Sequence, residues 1–478
     1  MKKLCLIFLL VPLLGFTQVQ IGENINGGLQ FEQLGRSISL SSDGNILAVG
    51  ADGANDTFSN SGIVRVYENI NGTWAQIGND IVGNQFEVLS YSVSLSSDGS
   101  IVAVGAGDLV DRKGLVRIFE NINGIWTQIG NDILGMFDDD LFGRSISLSS
   151  DGNIVAVGAS WHGGFSGEVR VFENINNDWT QVGQDINGDT PFEELGRSVS
   201  LSSDGSKLAI GAPRNNDNVF ASGQVKIFEN QSNNWVQIGQ DLNGENIGDG
   251  FGTMISLSSD GNTVAIAATG DDDSENNSGK VSVYENISGV WTQIGDGING
   301  EEEDDFLGRI AISSDGSIVA ISTDRNNNFA GHVRVFKNIS DVWTQIGQDI
   351  SGNSSDQLGY SVALSSDGSV VATGAYTAST INGSGSGYAA VYDLNAVLST
   401  EDQTISNFSI YPNPTKDQFT IQLDNRSELQ NVNIYNNFGQ LVLTSKVINV
   451  DISKLTSGLY MVEIVTAKSK GTKKLIIG

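Results

Sequence analysis

Between residues 18 and 397 the chain is written in short apolar runs separated by turn-forming clusters, with scarcely a segment of helical period. Four runs recur in a fixed order. The first, at 37–41, alternates serine with isoleucine and leucine. The second, at 46–51, is apolar on both faces, as Ile154, Val155, Ala156 and Val157 show in a later copy. The third, at 63–68, alternates again, and the fourth, at 74–78, opens on a tryptophan. A strand that is apolar on both faces must be covered on both faces, so the pattern predicts sheets sandwiched between other sheets. The Ser-Asp-Gly-Asn cluster between the first two runs supplies residues that tolerate left-handed backbone, as a tight hairpin needs.

The four runs form a unit, and the unit repeats. Ser-Ser-Asp-Gly recurs with its aspartate at Asp43, Asp98, Asp151, Asp204, Asp260, Asp315 and Asp367, at steps of 55, 53, 53, 56, 55 and 52 residues. Four antiparallel strands at this period predict one propeller blade per unit. Blades are wedges, so small residues belong near the axis and large ones outside. The first run is rich in serine, the second ends in Gly-Ala at Gly50, Gly105, Gly158 and Gly211, and the fourth opens on Trp74, Trp126, Trp179, Trp235, Trp291 or Trp343. The first strand is therefore expected innermost and the fourth outermost. The first three runs occur seven times but the tryptophan run only six. The missing strand stands at the other end, where 19–27 matches the segment that follows each tryptophan. The expectation is an all-β chain: a seven-bladed β-propeller over 18–394, closed by pairing of Gln20 and Ile21 with 388–392 of the last blade. Closure leaves no open sheet edge.

The flanks differ from the repeats. Lys2 and Lys3 precede an apolar run that ends at Phe16, which predicts a signal peptide at 1–17. The one cysteine, Cys5, lies inside it, so no disulfide is expected in the mature protein. No later run has the length of a membrane helix. Residues 395–407 are expected to be a linker and 408–478 a small β-sandwich, with hairpin turns at 436–440 and 468–472. Residues 401–478 carry eight basic and seven acidic side chains, whereas 18–400 carry 16 basic and 49 acidic ones. So negative a surface repels nucleic acid, and a monomeric, non-nucleic-acid-binding protein is expected.

The repeats resemble the FG-GAP repeats of integrin α-subunit propellers and their bacterial relatives. The resemblance rests on Phe142-Gly143 and Phe251-Gly252, on Leu-Gly at Gly35, Gly196, Gly308 and Gly359, and on Gly211-Ala212-Pro213. It implies a propeller, but the family's calcium loop is reduced here to a single acid per turn, too few oxygens for calcium. The segment from Asn407 resembles the type A C-terminal sorting domain of the type IX secretion system. The matching positions are Tyr411, Pro412, Asn413, Pro414, Gly458, Tyr460, Lys473 and Lys474. That resemblance implies passage through the periplasm, type IX machinery as partner, and a secreted or cell-surface destination.

Candidate chemistry is sparse. His162 and His332 are placed in loops between second and third strands, in different repeats. Asp138-Asp139-Asp140 and 301–305 fall between fourth and first strands, and Asp271-Asp272-Asp273 between second and third, which is expected to be the opposite rim. Asp185, Asn187 and Asp189 alternate like calcium ligands, making calcium a possible cofactor. Arg36, Arg144, Arg197 and Arg309 share one place before the inner strand and would ring the channel mouth, able to hold a carboxylate or sulfate. The competing expectation pairs them with Glu32, Glu193, Glu194 and Asp305. Loops such as 52–61 and 376–385 vary while strands repeat, which is where recognition resides on a fixed scaffold. The sequence thus points to a non-catalytic binding or adhesion module for an extracellular protein or glycan. The alternative is a polysaccharide-active hydrolase using loop carboxylates.

Overall fold

The computed structural model describes residues 18–53, 61–107, 110–401, 408–423, 429–436, 441–466 and 470–478. The expected signal peptide lies outside the described residues, as do parts of the variable loop at 52–61, of the linker, and of both C-terminal hairpin turns. The chain is all-β and divides into two compact units.

The larger unit, Thr17–Leu394, contains seven antiparallel sheets, six of them made of strands consecutive in sequence. In the first repeat these strands are Leu34–Leu40, Ile46–Ala51, Ile63–Ile70 and Thr73–Gln76. The second strand is buried almost throughout, as its two apolar faces require. The last sheet borrows its fourth strand from the other end of the sequence. Val19 pairs with Asp393 and Gln20 with Tyr392, and Ile21 donates to the carbonyl of Val391 at 2.8 Å.

First strands pack side by side, and Ser361–Leu364 of the last sheet packs against Leu34–Leu40 of the first. The second serine of each Ser-Ser-Asp-Gly turn joins its neighbour through the backbone. Ser42 donates its amide to Ser97, Ser97 to Ser150, Ser150 to Ser203, Ser203 to Ser259, Ser259 to Ser314, Ser314 to Ser366, and Ser366 to Ser42, all at 2.8–3.0 Å. Serine is favoured on the inner strand for its hydroxyl as well as its size. Ser37 donates to the carbonyl of Ser90, Ser145 to Gly196 and Ser361 to Gly35, at 2.7–2.8 Å.

The tryptophans lock the periphery in the same sequential way. Each indole N–H donates to a carbonyl of the preceding sheet: Trp126 to Ile77, Trp179 to Ile129, Trp235 to Val182, Trp291 to Ile238 and Trp343 to Ile294, at 2.9–3.1 Å. Trp74 does so to Ile21, the borrowed strand. The glycine after each acceptor isoleucine or valine leaves room for the ring: a Cβ on Gly183 would lie 2.8 Å from Trp235.

Strand polarity corrects one expectation. In a four-stranded antiparallel sheet the turns from first to second and from third to fourth strand share one end. The other two connections share the opposite end. The acidic segments at 271–273 and 301–305 therefore lie on one rim, not two. Asn277, four residues beyond Asp273, donates to Asp304 at 2.9 Å.

The second unit includes 395–478. Part of the expected linker is instead a short helix, Asn395–Glu401. Beyond it a three-stranded and a four-stranded antiparallel sheet share one core, in which Phe419, Ile421, Val432, Ile434 and Val462 are buried.

Candidate functional site

The first strand of each repeat starts at the acidic rim. Arg36, Tyr91, Arg144, Arg197 and Tyr360, each seven residues before the turn aspartate, line one cavity of about 270 Å³. Tyr91 and Tyr360 belong to the set by the same offset, a signal that reading only the arginines missed. A bulge sets the geometry in the first repeat, where the register slips between Leu34 and Ser37 and Gly35 takes a left-handed φ of 96°. The sixth repeat is one residue shorter here. Arg309 pairs with Ser322, the register that Ser37 holds opposite Gly50 in the first repeat, so it enters one residue deeper. Below the guanidiniums, the buried side chains of Ile38, Val93, Val199, Ile255 and Ile310 form an aliphatic floor.

The expected pairing of these arginines with nearby acids holds only for Arg36, and with Asp52 rather than Glu32. Glu32 instead pairs with Arg65, Glu87 with Arg117 at 2.6 Å, and Glu301 with Arg334 at 2.8 Å. Glu193 accepts from Asn215 and Thr190, Glu194 pairs with Arg214 at 3.2 Å, and Asp305 accepts from the Glu302 amide. Third-strand arginines take Glu32, Glu87 and Glu301, whereas Arg214 of a loop takes Glu194 and uncharged donors take Glu193 and Asp305. Among the described residues, Arg144, Arg197 and Arg309 form no ion pair. Arg36 alone reaches an acid, Asp52, at 3.3 Å. Arg36 also lies over the rings of Tyr360 and Tyr376, at 4.5 and 4.8 Å, and Arg309 over Tyr360 at 4.8 Å. Burial, and then repulsion from Arg144, bring the Arg197 guanidinium down to about 10. The well is thus a concentration of positive charge inside a strongly acidic protein.

The other candidates disperse. Asp185 accepts from Gln181 at 2.7 Å, Asn187 sits in a two-residue strand opposite Glu168, and Asp189 pairs with Lys226. These three do not converge, and no group of three or more metal-ligating side chains occurs among the described residues. His332 is not in a loop: it opens the third strand His332–Asn338 and is buried. His162 does lie between strands, with Nδ1 3.1 Å from Asp140.

In the C-terminal unit the sorting-signal residues stitch its sheets together. Asn413 donates to the Lys474 carbonyl at 2.7 Å and accepts the Ile476 amide at 2.9 Å, which binds the segment Tyr411, Pro412, Asn413, Pro414 to the last strand. Gly458 opens the strand Gly458–Thr466, the Tyr460 hydroxyl donates to the Thr456 carbonyl at 2.8 Å, and Lys473 lies 5.1 Å from the Phe408 ring.

Residues 409–478 match the secretion system C-terminal sorting domain family. The chain is accordingly exported by the type IX route to the cell surface or the medium. No helix among the described residues is long and apolar enough to cross a membrane. Over 81 residues the chain is 37% identical to an ulvan lyase of Nonlabens ulvanivorans, covering 16% of this chain and 15% of that protein. The hydrazine synthase of Kuenenia stuttgartiensis is structurally similar over 74% of this chain and 94% of its own, at 14% identity and a TM-score of 0.47.

Proposed function

We propose that the seven sheets are the blades of one closed propeller built from FG-GAP-like repeats. On this reading the exported protein is a binding module rather than a catalyst, and the arginine-lined well receives an anionic group of its ligand. The serine hydrogen-bond cycle and the borrowed fourth strand support closure. The observation that carries the binding reading is the convergence of Arg144, Arg197 and Arg309 on one cavity without acid partners among the described residues. Unpaired guanidiniums over an apolar floor favour a carboxylate or sulfate strongly, because little water competes there. The net charge of −30 works against densely charged polyanions, so a ligand with isolated anionic groups fits best. Carboxylates suited to glycoside hydrolysis are engaged on this rim by third-strand cations, which disfavours the hydrolase alternative. Calorimetric titration of the purified chain with sulfate and with glucuronate tests the reading. Both should bind, and Arg144→Gln or Arg197→Gln should weaken them about tenfold or more. Equal affinity in the variants removes the well as receptor, and release of oligosaccharides from a polysaccharide by the chain installs an enzyme in its place.

A further inference from the structure

In a repeat protein, what every copy carries serves the fold, and what one copy carries alone is available for something else. Six of the seven tryptophans are the latches described above. Trp161 is the seventh, and next to it stands His162, one of two histidines. Both belong to the loop after the second strand of the third repeat, where Gly163 and Gly164 take left-handed φ of 61° and 75°. Rings gather there. Trp161 lies 5.1 Å from Phe165, Phe165 stacks on Phe192 at 6.0 Å, and Phe137 lies 5.5 Å from His162. Phe137 and Phe192 are 59% and 61% exposed. An open cleft of about 570 Å³ runs along Phe137, Trp161, His162 and Phe165, within the size range of small-ligand sites.

The cleft also has fixed polar groups. Asp140 is buried, takes the Phe137 amide at 2.9 Å, and faces Nδ1 of His162 with its other oxygen. An N–H on Nδ1 satisfies this carboxylate, which leaves Nε2 to a ligand's hydroxyl. Asp138 and Asp139 stand beside Lys113 and Arg112, so the cleft carries little net charge. The sixth repeat makes the same turn, Asn326–Phe329, without these side chains. Arg325 stands in the place of Trp161, and Asn326 in that of His162, meeting Asp305 at 3.3 Å as His162 meets Asp140. Neither Trp161 nor His162 is therefore needed to hold the turn.

We infer that the third-repeat cleft is a binding site for a neutral saccharide. Aromatic faces suit the C–H face of a pyranose ring, and Asp138 and Nε2 of His162 accept its hydroxyls. An apolar peptide side chain would bury those acceptors unpaired, and an acidic sugar would find no net positive charge. The site is independent of the arginine well. The test is calorimetry of the whole chain with neutral trisaccharides of glucose, xylose, mannose and galactose. At least one should bind. Trp161→Arg, which installs the sixth-repeat residue, should weaken it about tenfold or more. His162→Asn should weaken it less and Trp161→Phe should restore most of the affinity, all three variants with native melting temperatures. Absence of binding by the native chain, or undiminished binding by both Trp161→Arg and His162→Asn, would overturn the inference, as would preference for acidic trisaccharides or for a peptide.

Discussion

A guanidinium seldom titrates near the range of ordinary buffers, yet burial and the neighbouring Arg144 bring Arg197 down to about 10. The unfolded chain holds this proton more tightly than the folded one, so the charge subtracts stability at neutral pH. That penalty fades as pH rises from about 10 toward the ordinary value of 12.5. Arg197→Gln should therefore raise the melting temperature at pH 7, by the equivalent of roughly 1–3 kcal/mol after allowance for screening. The gap should close above about pH 10, and sulfate should raise the melting temperature of the native chain more than that of the variant. Calorimetric melts with and without sulfate check both; a less stable variant would contradict the account. The four arginines were legible because they share an offset from the repeat's glycine. That three of them lack an acid partner was not, because Glu32 and Glu301 are near the arginines in sequence while Arg65 and Arg334 are near those acids only in space.

The repeat as an element was legible almost completely, since strand alternation, the aspartate turn and the tryptophan each recur at fixed spacing. What the spacing could not reveal was how one copy holds the next. The tryptophan that reads as mere bulk donates its indole N–H across the sheet boundary, and a glycine of the preceding copy makes room for it. Trp235→Ala should cost about 3–5 kcal/mol. Gly183→Ala should cost about 1–3 kcal/mol through its left-handed backbone and its approach to the same ring. Urea unfolding of each variant measures the loss, and a neutral Gly183→Ala would show that the ring is not held as described. Strand parity alone puts 271–273 on the same rim as 301–305. The third-repeat cleft is not legible in the repeat for a different reason: Trp161 does not recur.

At the scale of the whole molecule, the two ends of the larger unit meet in one sheet, so its stability depends on a strand donated from the far end of the sequence. Deleting 18–27 should uncover the Tyr388–Asp393 edge and drive association between copies, visible as oligomers by light scattering. A monomer of native stability would show that the borrowed strand is dispensable. The aliphatic rows beneath the guanidiniums have a consequence for what the cavity retains. Isoleucine and valine line it below the charged mouth, so a ligand that offers both an anionic head and an apolar flank gains from each, and high salt weakens its hold without abolishing it.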